Sequence, residues 1–398
     1  MQHLERYGES IETCDLKGAN RTVVVSESAP VLENGGFFWL ADGRIVYSRG
    51  ESRDSDDHNR WQIGIDSHAS TPIGKPKRVT QWAGSYLLGL SASADGKRLA
   101  LRKWTRQAHV YPAELAAGGT RMNPPRLLTN DEAYDAPTAW TTDSKAVLFL
   151  SDRNGSWGVF RQRIGEETAE PIVTGLQFQS IARLSADGDW ILYLDRVQTA
   201  DPSTLLRLMR IPVSGGVPQP VLEARNFWDF ACARAPASLC VVLEESQDEK
   251  QFTLTAFDPL KGRGKVLRTI QKDTTAYPVP AGLSPDGSTF AISKSREGEI
   301  HVRLLSLSGG SDREVTVKGW SGLAFRDLKW SADGKGLYCG AWSTAGSPLL
   351  YIDLKGNARV LWQYKGPGMI WGVPSPDGRH LAMRGAAITS NVWMLEGF

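Results

Sequence analysis

Short apolar runs recur along this chain, each introduced by a polar turn. Arg44–Ser48, Arg98–Arg102, Ala146–Leu150, Trp190–Leu194, Leu239–Leu243, Thr289–Ile292, Gly336–Cys339 and His380–Met383 are too short for helices and are bounded by Gly, Asp and Ser, so they read as strands. Leu283-Ser284-Pro285-Asp286-Gly287-Ser288-Thr289-Phe290-Ala291-Ile292 shows the unit most fully: a strand end, a tight turn, and a strand running back. Pro285 presets φ for a type I turn, Asp286 can bond its own backbone, and Gly287 supplies the left-handed residue that lets the hairpin resume.

The turn signature returns as Ser93-Ala94-Asp95-Gly96, Ser185-Ala186-Asp187-Gly188, Ser331-Ala332-Asp333-Gly334 and Ser375-Pro376-Asp377-Gly378. Looser copies are Leu40-Ala41-Asp42-Gly43, Thr141-Thr142-Asp143-Ser144 and Ala235-Pro236-Ala237-Ser238. The fourth turn residues, Gly43, Gly96, Ser144, Gly188, Ser238, Gly287, Gly334 and Gly378, are spaced by 53, 48, 44, 50, 49, 47 and 44 residues. A period of this length with strands inside it predicts an all-β fold, a β-propeller of eight four-stranded blades, with seven as the alternative.

The spacing also predicts one domain over residues 1–398, because a propeller grows radially and each blade packs only on its neighbours. The eighth unit supplies Gly372–Pro374, His380–Met383 and Val392–Leu395 and then lacks a fourth strand. Thr22–Ser26, β-branched and outside any unit, is the expected closing strand, pairing with the last blade over 370–398.

The Ser-Pro-Asp-Gly hairpins resemble the WD40-like (PD40) repeats of TolB-type propellers, and Ser151-Asp152-Arg153-Asn154-Gly155-Ser156-Trp157 resembles the connection between the second and third strands of those repeats. The ending Ser390-Asn391-Val392-Trp393-Met394-Leu395-Glu396-Gly397-Phe398 resembles the last strand of propellers that follow bacterial eukaryotic-like serine/threonine protein kinases or winged-helix regulators. This resemblance implies a non-catalytic sensor or interaction module of a signalling protein, binding a protein or small ligand. The kinase itself is not in the sequence: a Gly-rich loop followed by a strand lysine, His-Arg-Asp and Asp-Phe-Gly are all missing. The alternative is a propeller enzyme of the peptidase or lyase class, with a site assembled from several blades.

Charge and composition narrow the partners. Lys plus Arg number 46 against 44 Asp plus Glu with no long basic run, so nucleic acid is not an expected partner. No apolar leader and no run of about 18 uncharged apolar residues occurs, so the chain as written reads as cytoplasmic and without a membrane segment, or extracytoplasmic if part of a membrane kinase. A monomer is expected, and no cofactor. Cys232 and Cys240 flank one hairpin turn and could be cross-strand neighbours, but free buried thiols are the expected state.

Other candidates have plainer readings. Asp54, Asp56, Asp57 and His58 crowd one loop but lack the glycine and distal glutamate of a calcium loop, which favours a solvated acidic loop. Gly262-Arg263-Gly264-Lys265 lacks the spacing of a phosphate loop and reads as a turn. The long connections, among them Trp104–His109, Asn130–Ala136, Lys272–Pro280 and Tyr364–Ile370, should share one face. Their tyrosines, Tyr134, Tyr277 and Tyr364, are the candidate contact residues.

Overall fold

In the computed structural model, residues 9–27, 36–50, 58–66, 69–82, 85–176, 180–196, 205–272, 281–296, 299–321, 324–325, 327–342, 346–365 and 370–398 are described. Every regular element among them is a β-strand. The chain forms two compact units, residues 107–387 and residues 1–106 with 388–398.

The larger unit is a ring of six blades. Four are four-stranded antiparallel sheets in sequence order, spanning Ala136–Leu176, Ala182–Ala224, Phe227–Gln271 and Ala281–Ser321, and the fifth, Ala324–Tyr364, has five strands because Ala324–Phe325 and Lys329–Trp330 both pair with Gly336–Trp342. The sixth joins Gly372–Pro374 to the parts of His380–Glu396 and Arg98–Ala116 that lie in this unit, with Arg121–Met122 outermost. Leu115 N–H donates to Arg379 O at 2.7 Å at that junction. The innermost strands, Ala136–Trp140, Ala182–Leu184, Phe227–Cys232, Ala281–Leu283, Lys329–Trp330 and Gly372–Pro374, each touch the next, and the last touches the first.

Ring size and closure therefore differ from the eight units counted along the sequence. The ring takes in units three to eight, and its closing strand comes from unit two rather than from Thr22–Ser26. Thr22–Glu27 instead pairs with Glu9–Thr13. The cause is local. No Gly or Pro lies between Lys97 and Tyr111, so the expected loop Trp104–His109 does not break, and Arg98–Ala116 runs as one strand of 19 residues. His380–Glu396 is likewise one strand of 17 residues where two were expected.

The smaller unit is layered. Ile11, Val24 and Val25 of the N-terminal hairpin pack on Ile45, Tyr47, Ile63 and Ile65 of the sheet Phe37–Trp39, Arg44–Gly50, His58–Ile65 and Pro72–Arg78. Val46 points to the opposite face, where Leu99, Leu90, Leu395 and Phe398 cover it, as strand alternation requires. Arg60 is fully buried here and donates through Nη2 to Leu87 O at 3.1 Å and Gly89 O at 2.8 Å. His58 lies at a strand start with its ring 4.8 Å from that of Tyr86, while Asp54, Asp56 and Asp57 fall outside the described residues.

The repeated turn is a closed circuit of local hydrogen bonds. Ser284 Oγ donates to Asp286 Oδ1 at 2.5 Å and accepts the Thr289 N–H at 2.9 Å, and Asp286 Oδ1 accepts the Ser288 N–H at 3.0 Å. Ser331, Asp333, Lys335 and Gly336 repeat these three bonds, in the same order, at 2.7, 3.0 and 3.1 Å, and Ser375, Asp377, Arg379 and His380 at 2.6, 2.9 and 3.0 Å. The Ser284 hydroxyl and the Ser288 N–H hold the Asp286 carboxyl below its usual range. Gly287 and Gly334 have φ of 72° and 68°, as the turn chemistry predicts. Gly334→Ala is expected to cost about 1 kcal/mol through left-handed strain alone, since an added Cβ would meet only Pro285 Cδ at 4.0 Å. An unchanged thermal midpoint would refute this.

The cysteine expectation is corrected. Cys232 and Cys240 face each other directly across adjacent strands, their Cα atoms 4.0 Å apart, and form a disulfide. The hairpin turn that was read between them brings them into bonding reach. Cys14 and Cys339 are free, the first exposed and the second buried.

Candidate functional site

The six innermost strands leave a cavity of about 450 Å³ at their centre, opening among the Ser-x-Asp-Gly turns. The innermost strands carry charge: Arg183 on the second blade, Asp229 on the third and Lys329 on the fifth, with Arg234 following the strand that holds Asp229. Arg183, Arg234 and Lys329 line the cavity, together with Thr138, Asp187 and Gly282.

Arg183 Nη2 donates to both oxygens of Asp229, at 2.9 and 3.1 Å, and its guanidinium lies 5.2 Å above the Phe230 ring. Arg234 donates through Nη1 to Pro376 O at 3.4 Å, and burial lowers its guanidinium against the opposing charge of Asp377. Lys329 differs, for no hydrogen-bond acceptor or carboxylate of the described residues pairs with its ammonium. Burial, reinforced by the Arg183 charge and opposed by Asp229 and Asp327, brings it down to about 8. Asp327, two residues earlier, accepts the Gly340 N–H on Oδ1 at 2.6 Å, while its buried Oδ2 lacks a well-formed hydrogen bond. Burial pushes this carboxyl up to about 7 against the pull of Lys329.

A second cluster lies toward the other end of the strands. Arg153, in the turn read from Ser151–Trp157, donates through Nη2 to both oxygens of Asp135 at 3.1 and 3.0 Å and to Asp131 at 3.0 Å. Its guanidinium lies 5.0 and 4.9 Å from the Phe149 and Phe160 rings. Burial raises the Asp135 carboxyl, opposed by Ser151, Arg153 and Thr129. Ligand atoms of His109, Asp131 and Asp135 lie within 4.8 Å of one another, but Arg153 already supplies the cation that bridges the two carboxylates. The Arg153 guanidinium thus joins both carboxylates in one ion-pair cluster.

Of the tyrosines singled out in the sequence, the two that are described are turned inward to different degrees. Tyr134 is 3 % exposed, edge-on to Trp157 with ring centroids 5.6 Å apart and beneath the Arg384 guanidinium. Tyr364 is half-buried, and its hydroxyl donates to Ala386 O. Tyr277 lies outside the described residues. Neither described tyrosine lines the central cavity. Sequence reasoning passed over Arg183 and Lys329; the usable signal was a charge within the short first strand of a repeat unit, which in the structure is the innermost strand of its blade. Gly262-Arg263-Gly264-Lys265 lies within a strand edge, Gly262–Gln271, and Arg263 is engaged with Glu244.

No family model matches the sequence, and no curated protein matches it. Among solved structures, a TolB of Agrobacterium tumefaciens is similar at a TM-score of 0.53 and 16 % identity, over 71 % of this chain and 99 % of that one. The chain is an all-β propeller. Lower similarities reach TolB of Acinetobacter baumannii, with TM-score 0.42, 10 % identity, and 88 % and 82 % of the two chains covered. An oligogalacturonate lyase in complex with manganese gives TM-score 0.41 and 15 % identity over 74 % and 76 %. At 16 % identity the likeness to the Agrobacterium tumefaciens TolB shows the fold alone. No helix among the described residues is long and apolar enough to cross a membrane.

Proposed function

We propose that this propeller is a non-catalytic binding module that takes its ligand into the central cavity of the larger unit, from the side of the Ser-x-Asp-Gly turns. The observation that carries this reading is the cavity itself. Its volume of about 450 Å³ falls within the range of ligand pockets, and its wall combines an apolar majority with a few inward charges. The binding surface is then on the short-turn side, in preference to the long-connection face expected from Tyr134, Tyr277 and Tyr364. In a kinase-type or regulator-type signalling protein such a module would be the sensor or interaction part, the setting suggested by the resemblance of Ser390–Phe398.

The enzyme reading draws on Asp327 and Lys329, both displaced toward neutrality, a trait that concentrates at functional sites. Among the residues lining the cavity, however, there is no histidine, and the one cysteine, Cys232, is held in a disulfide. Binding is the better supported reading.

Thr142 and Ala235 are exposed at the cavity mouth. The double variant Thr142→Trp, Ala235→Trp should obstruct entry without disturbing the core. Peptides and metabolites that bind the wild-type chain in a library screen are expected to lose affinity for the double variant by roughly tenfold or more. Hits that bind both proteins equally well would place the binding surface elsewhere.

A further inference from the structure

Among the described residues lining the cavity, the Lys329 ammonium makes no hydrogen bond or close ion pair, and its nearest opposite charges, Asp229 and Asp327, act on it only at longer range. Lys329 lies on the innermost strand of the fifth blade, three places round the ring from Arg183 in either direction, so the two cations face each other across the channel. The acids nearby are occupied. Asp229 is spanned by Arg183, Asp187 accepts the Ser185 hydroxyl and the Asp189 N–H, and Asp327 is held by Gly340.

An enclosed ammonium without an acceptor is costly, since each ion taken from water must recover its hydration from fixed partners. Its lowered proton affinity reports the same deficit. Arg183 keeps donors to spare, because Asp229 engages only Nη2 of a group with five N–H bonds. Two cationic donors on opposite walls, with their carboxylates turned aside, are suited to a group carrying negative charge on several oxygens.

We propose that the channel is an oxyanion site in which Lys329, with Arg183 opposite it, holds a carboxylate or phosphate group of the ligand. This inference rests on the cavity being the binding site. The bound oxygens would accept from the Lys329 Nζ and the remaining Arg183 N–H groups, and no covalent step is involved.

The test uses inorganic phosphate and succinate as separate probes, titrated into the full chain by calorimetry at constant ionic strength, because exposed charges respond to salt alone. Saturable binding of either probe is expected, and the preferred probe identifies the oxyanion as phosphate or carboxylate. Lys329→Met should weaken binding by roughly tenfold or more, whereas Lys329→Arg should stay within about threefold. Lys329→Met is also expected to melt no lower than wild type, since among the described residues the ammonium it removes makes no hydrogen bond or close ion pair.

A second readout needs no variant. Trace acylation of the wild-type chain, followed by peptide mass spectrometry, should show the preferred probe protecting Lys329 but not the exposed Lys97 and Lys335. Absence of saturable binding and of protection with both probes would overturn the proposal, as would equal affinity in Lys329→Met. If Thr142→Trp, Ala235→Trp abolishes a library ligand that Lys329→Met binds normally, the oxyanion assignment fails while the channel reading survives. If the mouth variants also bind normally, the channel reading fails with it.

Discussion

Arg153→Met is expected to destabilise the larger unit by about 3 kcal/mol, the lower end of the range for breaking a buried ion pair. The Asp135 side chain is 0 % exposed and that of Arg153 18 %, so the pair is nearly dry but retains a little solvent screening. Methionine fills similar volume against Phe149 and Phe160, so lost packing contributes little, and the measured cost falls on charge and hydrogen bonding. Once Arg153 is gone, Asp135 must either bury its charge or take up a proton, and both choices are unfavourable at neutral pH. Restoring neutrality with Asp135→Asn in the same chain should recover part of the loss. A shift in the urea midpoint equivalent to less than about 1 kcal/mol would show that the pair is solvated and contributes as an exposed one does.

Asp327→Asn is expected to remove a pH dependence from wild-type stability. The folded carboxyl titrates near 7 and the unfolded one near 3.8, so between these values the folded chain binds more protons. Its stabilising contribution is complete below about pH 4 and is lost as pH rises toward 7. A displacement of this size corresponds to at most about 4 kcal/mol, and partial access to the channel reduces the expected figure to about 2 kcal/mol. Turn carboxylates such as Asp143 and Asp286 are lowered and act with the opposite sign, losing stability as pH falls. The informative quantity is therefore the difference between wild type and variant at pH 4.5 and at pH 7.5. The replacement amide would still present an oxygen to the Gly340 N–H, so the variant should gain relative to wild type at the higher pH. Parallel melting curves for the two proteins across this interval would refute the assignment.

The sequence alone determined the hairpin and its repetition. In each Ser-x-Asp-Gly turn the decisive bonds join residues two to five apart, as between Ser284, Asp286, Ser288 and Thr289, so any chain carrying those residues closes the same circuit locally. Repetition of such turns between apolar runs leaves stacked antiparallel sheets as the way to bury them, hence an all-β propeller. The turn Ser151–Trp157 was legible for the same reason, though not the task of its arginine, whose partner Asp135 lies 18 residues back.

Ring size, closing strand and cavity were decided only in three dimensions. Counting turns reveals how many hairpins exist but not which of them share a ring; six blades close here because Gly372–Pro374 of the last unit packs on Ala136–Trp140 of the third, a contact between residues 233 positions apart. The closing strand depended on Arg98–Ala116 continuing unbroken, which a search for turns overlooks. The Arg183–Asp229 pair spans 46 residues, and Lys329 meets both only because the ring folds distant blades around one axis. Burial of Tyr134 follows likewise from its neighbours Trp157 and Arg384, far off in sequence. Local hydrogen bonds are written in adjacent residues, whereas the desolvation and charge opposition that shape the channel exist only once the blades are packed.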